Sequence, residues 1–113
     1  MKKLLVFAIL FASGCSCKQD DIPLNIPSCI RNEVNEIKDD PNRYFESVDE
    51  YFFQNKIVYA FHPDGGVIAD GSIVIKNADC SIICYLGGLG GVQLCNGENF
   101  FQNASFRRNI WKE

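Results

Sequence analysis

Six cysteines in a chain of 113 residues constrain the fold more than any other feature of this sequence. Such a count indicates either a disulfide framework or a metal site, and the compartment decides between them. The remaining composition, with 47% hydrophobic and 22% charged residues, is typical of a globular domain and argues against a disordered or fibrous chain. A formal net charge of −3 leaves no basic face for phosphate contacts, so no nucleic-acid partner is predicted.

The N-terminal residues have the pattern of an export signal. Met1-Lys2-Lys3 is basic, residues 4–12 are apolar, and Ala12-Ser13-Gly14 are small. The apolar run is shorter than the roughly 20 residues that cross a bilayer, so the pattern predicts a secretory signal and not a membrane-spanning helix. An exported chain enters an oxidising compartment, where cysteines tend to form disulfides.

The small residues before Cys15 resemble the lipobox of bacterial lipoprotein precursors, although Ala12 stands where leucine is usual. This resemblance implies cleavage after residue 14, an acyl anchor such as palmitate on Cys15, and location at the membrane of the bacterial cell envelope. A plain signal peptide is the alternative. Ser16 replaces the aspartate of an inner-membrane retention signal, which favours the outer membrane, periplasmic or surface-facing. Loss of residues 1–14 takes the formal charge to −5.

The rest of the chain divides into a tether over residues 15–27 and a single small domain over residues 28–113. Two prolines and no sustained periodicity mark the tether. Ser28 is the predicted N-cap of a helix of about three turns that ends at residues 39–41, Asp-Asp-Pro. Its apolar residues are spaced to form one stripe that packs on a sheet: Ile30, Val34 and Ile37.

Two pairs of aromatic and β-branched runs predict two hairpins. The first joins residues 48–53 to 57–61 through Gln54-Asn55-Lys56, and the second joins residues 72–76 to 81–86. Residues 87–91 predict an irregular glycine-rich loop, and no element is assigned after it. The predicted fold class is therefore α+β, with one N-terminal helix packed on a small, mostly antiparallel sheet of two hairpins, tied by disulfides.

Cys15 is predicted to be acylated and Cys17 lies beside it in the tether, so four cysteines remain for two disulfides: Cys29, Cys80, Cys84 and Cys95. Three connectivities are open. The preferred pairing is Cys84–Cys95 with Cys29–Cys80, and Cys80–Cys84 is least favoured because an extended segment separates its Cα atoms by more than ~7 Å. A structural zinc site is the competing interpretation, but zinc sites favour two close cysteine pairs and this chain has one. No metal and no cofactor are predicted.

Groups suited to acid–base catalysis are scarce. His62 is the only histidine, and it is interpreted as a solvated strand terminus; Asp49 and Glu50 are interpreted as solvated charges. The loop at residues 87–91 lacks the Gly-Lys-Ser/Thr of a phosphate-binding loop. The chain is therefore predicted to have no catalytic residues and to be a binding or interaction module with an envelope protein as its partner. An extracytoplasmic hydrolase or a hydrolase inhibitor is the alternative.

Several motifs in the C-terminal half occur together: Lys56-Ile57-Val58-Tyr59, residues 79–84, the glycine-rich loop, Cys95 and Ile110-Trp111. Over about residues 28–112 this pattern resembles a family of small bacterial lipoproteins of unknown function. Family members carry a vicinal cysteine pair after the Val-Tyr strand, where this chain has Phe61-His62 and following residues, so the resemblance implies one fewer disulfide here. It implies location and architecture, and no activity.

Overall fold

The computed structural model describes residues 22–65 and 71–113, so the predicted signal peptide and residues 15–21 lie outside the described part. Within these ranges the elements follow in the order α1 (Ser28–Asp39), β1 (Phe45–Phe53), β2 (Lys56–Pro63), β3 (Ser72–Lys76), β4 (Ile82–Gly87), β5 (Leu94–Cys95), β6 (Glu98–Asn99), α2 (Phe100–Asn103) and β7 (Ser105–Lys112). Five strands form an antiparallel sheet in the order β4-β3-β2-β1-β7, and β5 pairs with β6 separately. The predicted α+β class is confirmed.

Helix α1 packs on the sheet through the predicted stripe. Ile30 and Val34 are buried and Ile37 is half-buried. The N-cap, however, is Pro27 and not Ser28, and no side chain caps the first turn. Proline at this position has no side-chain acceptor to offer, and its carbonyl accepts the bond from the Arg31 backbone N–H at 2.9 Å. The helix therefore begins one residue earlier than the serine signal predicts.

The β1–β2 hairpin is tighter than predicted. Lys56 pairs with Phe53, so the connection is the two residues Gln54 and Asn55 instead of three. Both have positive φ, 52° and 65°, which is the backbone of a type I′ turn. This turn matches the right-handed twist of the flanking strands, and so it overrides the low preference of glutamine for such a conformation.

The sheet is packed on both faces, because alternate residues of β2 point to opposite sides. On one face α1 covers a first core: Ile26, Ile30, Val34, Val48, Tyr59, Phe61, Val74, Ile110 and Trp111. On the other, β5, β6 and α2 cover a second core: Phe53, Val58, Ala60, Ile75, Leu86, Cys95 and Phe100. The disulfide Cys29–Cys80 joins α1 to the turn after β3, and Cys84–Cys95 joins β4 to the segment over the second core.

The chain after the glycine-rich loop, to which the sequence assigns no element, is ordered into three strands and a short helix. The β5–β6 turn is Asn96-Gly97, both with positive φ, and the side chain of Asn99 caps α2 by accepting the Gln102 N–H at 3.0 Å. Strand β7 then pairs with β1 through two register shifts. Among the described residues, no helix has the length and apolar content needed to cross a membrane.

Candidate functional site

Glu50 is the only buried charged residue among those that the structure describes, with 3% of its surface exposed. Its neighbours across the two flanking strands are Tyr59 on β2 and Arg108 on β7. The Tyr59 hydroxyl donates to Oε2 at 3.0 Å, and Arg108 Nε donates to Oε1 at 2.8 Å. Arg107 Nε donates to the same Oε1 at 3.4 Å. One carboxylate is therefore held by three donors from two strands.

A β-bulge explains how two consecutive arginines reach the same carboxylate. Arg108 is opposite Glu50 and Phe106 is opposite Tyr51, so Arg107 is the extra residue of β7 at the register shift. In a regular strand, neighbouring side chains point to opposite faces of the sheet. The bulge removes this alternation locally and turns both guanidinium groups toward the α1 face.

The cluster forms the floor of an open groove of about 810 Å³ between β7, β2 and the start of α1. Arg107 and Arg108 line it with side chains that are 52% and 38% exposed, and Phe106 and Ile57 contribute apolar surface. Pro27, the residue that precedes α1, also lines the groove. Because no side chain caps this helix, the positive end of its dipole adds to the two guanidinium groups.

The charges within the cluster fix the protonation of its members. Burial raises the pKa of Glu50, but hydrogen bonds from Arg108 and Tyr59 lower it more, so the pKa lies below its ordinary value of 4.5. Burial and the bond to Glu50 raise the pKa of Tyr59 to about 12. At neutral pH the cluster therefore contains one carboxylate, a neutral phenol that donates, and two guanidinium groups.

A second cleft of about 510 Å³ lies on the opposite face, where His62 meets Asp49. His62 is inside β2, paired with Ser47, and its Nε2 lies 3.2 Å from Asp49 Oδ2, within ion-pair distance but without hydrogen-bond geometry. Burial raises the pKa of Asp49, while His62 and the Asn109 amide, which donates at 2.8 Å, lower it to below 3.8 overall. His62 is the last residue but one of β2, in agreement with its interpretation as a strand terminus, but the interpretation of the imidazole as solvated is wrong for Nε2, which is shielded from solvent.

All four described cysteines are paired in disulfides. Cys29, Glu33 and Cys80 place three candidate metal-ligand atoms close together, but both thiols are consumed in the Cys29–Cys80 disulfide. Cys15, the predicted lipidation position, and Cys17 lie outside the described residues. The glycine-rich loop is a turn in which Gly87, Gly88 and Gly91 have positive φ, as an irregular loop requires.

The interpretation of Asp49 and Glu50 as solvated charges is wrong for Glu50, which is buried, whereas the Asp49 side chain is partly exposed, at 19%. The sequence carried no signal for Glu50, since residues 48, 50 and 52 and residues 49, 51 and 53 each comprise two apolar residues and one acid, and both faces of the sheet are packed. It carried none for Arg107 and Arg108 either, because a bulge in β7 has no clear sequence pattern.

A search of curated proteins and a search of solved structures each find no match. A family model matches residues 35–113, and its description is "Domain of unknown function (DUF6970)". The match includes Glu50, Tyr59 and both groove arginines, as well as His62 and Asp49. Because it covers more than half of the chain, this protein belongs to the DUF6970 family, a family of unknown function.

Proposed function

We propose that this chain is a non-enzymatic binding module of the bacterial cell envelope, held at the membrane by a lipid on Cys15, and that its groove binds an anionic ligand. The envelope location is supported by the basic, apolar and small residues before Cys15. The binding role is supported by one observation, the meeting of two guanidinium groups on a single buried carboxylate.

The charge of the cluster favours an anion. Arg107 and Arg108 bring two positive charges and Glu50 one negative charge, so the floor of the groove has a net positive charge within a chain whose formal charge is −3. Both arginines use Nε to hold Glu50 and both line the groove, so the contact with Glu50 does not occupy their terminal nitrogens. Guanidinium nitrogens of this kind bind carboxylates and phosphates through paired hydrogen bonds.

The remaining lining favours an anion with an apolar part. Ile57 and the half-exposed ring of Phe106 flank the arginines, and Tyr59 lies at the floor with its hydroxyl already donated to Glu50. A small inorganic anion would satisfy the charge and leave this apolar surface unused.

Calorimetric titration with acetate, benzoate and inorganic phosphate tests the groove. We expect benzoate to bind more tightly than acetate, and added salt to weaken every interaction. Arg107→Gln removes one charge without uncovering Glu50, since Arg108 still pairs with it, and should weaken binding about tenfold or more. Lys112→Gln, on the same strand but outside the groove, is the matched control. Equal affinities for the two variants would contradict the proposal.

The anchor is tested separately. Cys15→Ser should abolish acylation, and the mass of the protein should show the absence of both the lipid and the cleavage after residue 14. An acylated Cys15→Ser protein would contradict the assignment of Cys15.

A hydrolase remains the second candidate, and the observation that favours it is the cleft in which Ser47 is paired with His62 beside Asp49. Turnover of a nitrophenyl ester that disappears in both Ser47→Ala and His62→Ala would support it. Identical rates of ester hydrolysis in these variants and in the original protein would contradict the hydrolase hypothesis.

A further inference from the structure

The chain enters the domain beside the arginine groove. Ile22, the first described residue, packs against the first core, and the Pro23 carbonyl accepts a hydrogen bond from Arg31 Nη2 at 3.1 Å. Asn25 and Pro27 then line the groove itself. The Cα atoms of Ile22 and Asn25 are separated by at most about 11 Å of extended chain. The point at which the tether joins the domain is therefore fixed close to the edge of the groove.

The tether between the predicted anchor and the described residues is short. Seven peptide units separate Cys15 from Ile22, and fully extended they span only about 25 Å. A lipid on Cys15 would keep the point of attachment, and the groove beside it, close to the bilayer surface. A short tether gives the tethered groups an effective concentration of the order of millimolar at each other's binding site. A lipid headgroup that binds only weakly in free solution would then still occupy the groove.

We propose that the anion bound by the groove is the phosphate of an anionic phospholipid in the bilayer to which the chain is anchored, so that the domain lies on the membrane with its groove side. The inference rests on both parts of the proposed function, the anchor at Cys15 and the anion-binding groove, and it names the ligand. A lipid phosphate and a free phosphate ester share the chemistry that the arginines recognise. The position of the tether favours the lipid.

The lining of the groove matches a phospholipid better than a free anion. Arg107 and Arg108 supply guanidinium groups, which bind phosphate through paired hydrogen bonds. Ile57 and the ring of Phe106, which is 59% exposed, add apolar surface to the same groove. A phospholipid carries its phosphate next to the acyl region, so one molecule offers both an anion and apolar groups. It would use the charged and the apolar parts of the lining together.

The formal charge of the whole chain, −3, opposes an anionic surface, but the nearest charges decide the interaction. Exposed charges more than about 8 Å apart are largely screened at physiological ionic strength. Within the groove, the two guanidinium groups of Arg107 and Arg108 outweigh the single carboxylate of Glu50. The attraction of arginine to an anionic lipid surface is likewise confined to this short range. The groove side is therefore the side that an anionic bilayer attracts.

Acrylamide quenching of tryptophan fluorescence tests the inference in the anchored chain. Trp111 is 4% exposed, so it is largely shielded from this uncharged quencher. A second tryptophan introduced by Leu24→Trp reports on the groove side, because Leu24 is 78% exposed and precedes the groove residue Asn25. The matched control is Leu89→Trp, at a 90% exposed leucine that follows β4, the edge strand opposite β7. Each acylated protein is reconstituted in vesicles of phosphatidylcholine alone and of phosphatidylcholine mixed with an equal amount of phosphatidylglycerol.

Phosphatidylglycerol is expected to remove most of the acrylamide quenching at residue 24 and to leave the quenching at residue 89 unchanged. Arg107→Gln in the Leu24→Trp protein should restore the quenching, because the groove loses one of its two positive charges, whereas Lys112→Gln should not. Benzoate should also restore it, since it competes for the same arginines. Equal quenching at residue 24 in the two kinds of vesicle would overturn the inference, and so would protection that survives Arg107→Gln.

Two separate measurements distinguish this failure from failure of the proposed function. Calorimetric titration with benzoate shows whether the groove binds anions, and the mass of the protein shows whether Cys15 is acylated. Benzoate binding to an acylated protein without protection of residue 24 would refute only the lipid ligand. Glycerol phosphate that binds as tightly as a short-chain phosphatidylglycerol would also refute it, because the ligand would then be a free phosphate ester.

Discussion

Replacing Glu50 by glutamine tests whether the buried carboxylate stabilises the domain. Glutamine keeps the shape of the side chain but supplies one acceptor and one donor in place of two acceptors. If its oxygen accepts from Arg108, its amide group faces the Tyr59 hydroxyl, which then loses its acceptor. A charge-assisted hydrogen bond contributes about 1.5–3 kcal/mol and a neutral one about 1 kcal/mol. The bond from Tyr59 is lost, and the bonds from Arg108 and Arg107 keep only one of their two charges, so we expect a destabilisation of about 2–3 kcal/mol at pH 7, most of it from the lost bond.

This magnitude lies below the 3–5 kcal/mol typical of broken buried ion pairs. Arg107 and Arg108 are 52% and 38% exposed, so water can solvate them when the carboxylate is gone. For a domain of this size the loss corresponds to a decrease of roughly 10 °C or more in Tm. Urea unfolding followed through the fluorescence of Trp111, which is 4% exposed in the folded protein, measures the difference directly.

The pH dependence of the difference in the free energy of unfolding shows whether the negative charge of Glu50 causes it. The pKa of Glu50 is below 4.5 in the folded protein and returns to about 4.5 on unfolding, so its contribution is complete above pH 4.5 and is lost as the pH falls through the folded value. The difference in the free energy of unfolding between the original protein and Glu50→Gln should therefore decrease toward pH 3. Glu46→Gln, at an exposed position of the same strand, should change the free energy of unfolding by less than about 0.5 kcal/mol at either pH. A difference in the free energy of unfolding that is unchanged at pH 3, or the absence of any difference at pH 7, would refute the reasoning.

Three further predictions concern the two disulfides, the β1–β2 turn and His62. Reduction should release the thiols of both disulfides and destabilise the domain by about 4 kcal/mol for Cys29–Cys80 and about 3 kcal/mol for Cys84–Cys95, from loop separations of 51 and 11 residues; alkylation of all four cysteines in the oxidised native protein would contradict this. Asn55→Gly should stabilise the β1–β2 turn by up to about 1 kcal/mol, because φ is 65° there and a left-handed backbone strains an L-residue; a lower Tm would speak against the type I′ turn. His62→Ala should leave the protein folded, lower the free energy of unfolding by no more than about 1 kcal/mol, and raise the pKa of Asp49 as followed by carboxyl NMR; an unchanged titration would mean that the two groups do not interact.

Helix α1 and the strands of the two hairpins follow from local patterns that their packing reinforces. Ile30 and Val34 have helical spacing and both enter the core, and β3 has the predicted bounds, Ser72–Lys76. The paired cysteines also form the preferred connectivity, because Cys80 lies in the turn after β3 and can reach α1.

Strand β7 could not be predicted in this way. Its two register shifts break the alternation of apolar and polar residues, and Arg107-Arg108 in mid-strand resembles an exposed loop. Because Arg107 and Arg108 of this strand line the candidate groove, the groove could not be predicted either. The β5–β6 hairpin, by contrast, was readable, since Asn96-Gly97 is a strong signal for a two-residue turn.

The position of β7 couples the assembly of the domain to the formation of the proposed anion-binding groove. Strand β7 is C-terminal to every other described element, yet it pairs with β1, and its Ile110 and Trp111 close the core beneath α1 while its Arg107 and Arg108 form the groove. A chain cleaved before β7 would lack both the residues that close the first core and the arginines of the proposed groove, and so no folded form without the groove is expected to accumulate from such cleavage. Conversely, an anion bound by the arginines as proposed would favour the docked strand, and by linkage would protect the C-terminal segment from exopeptidases.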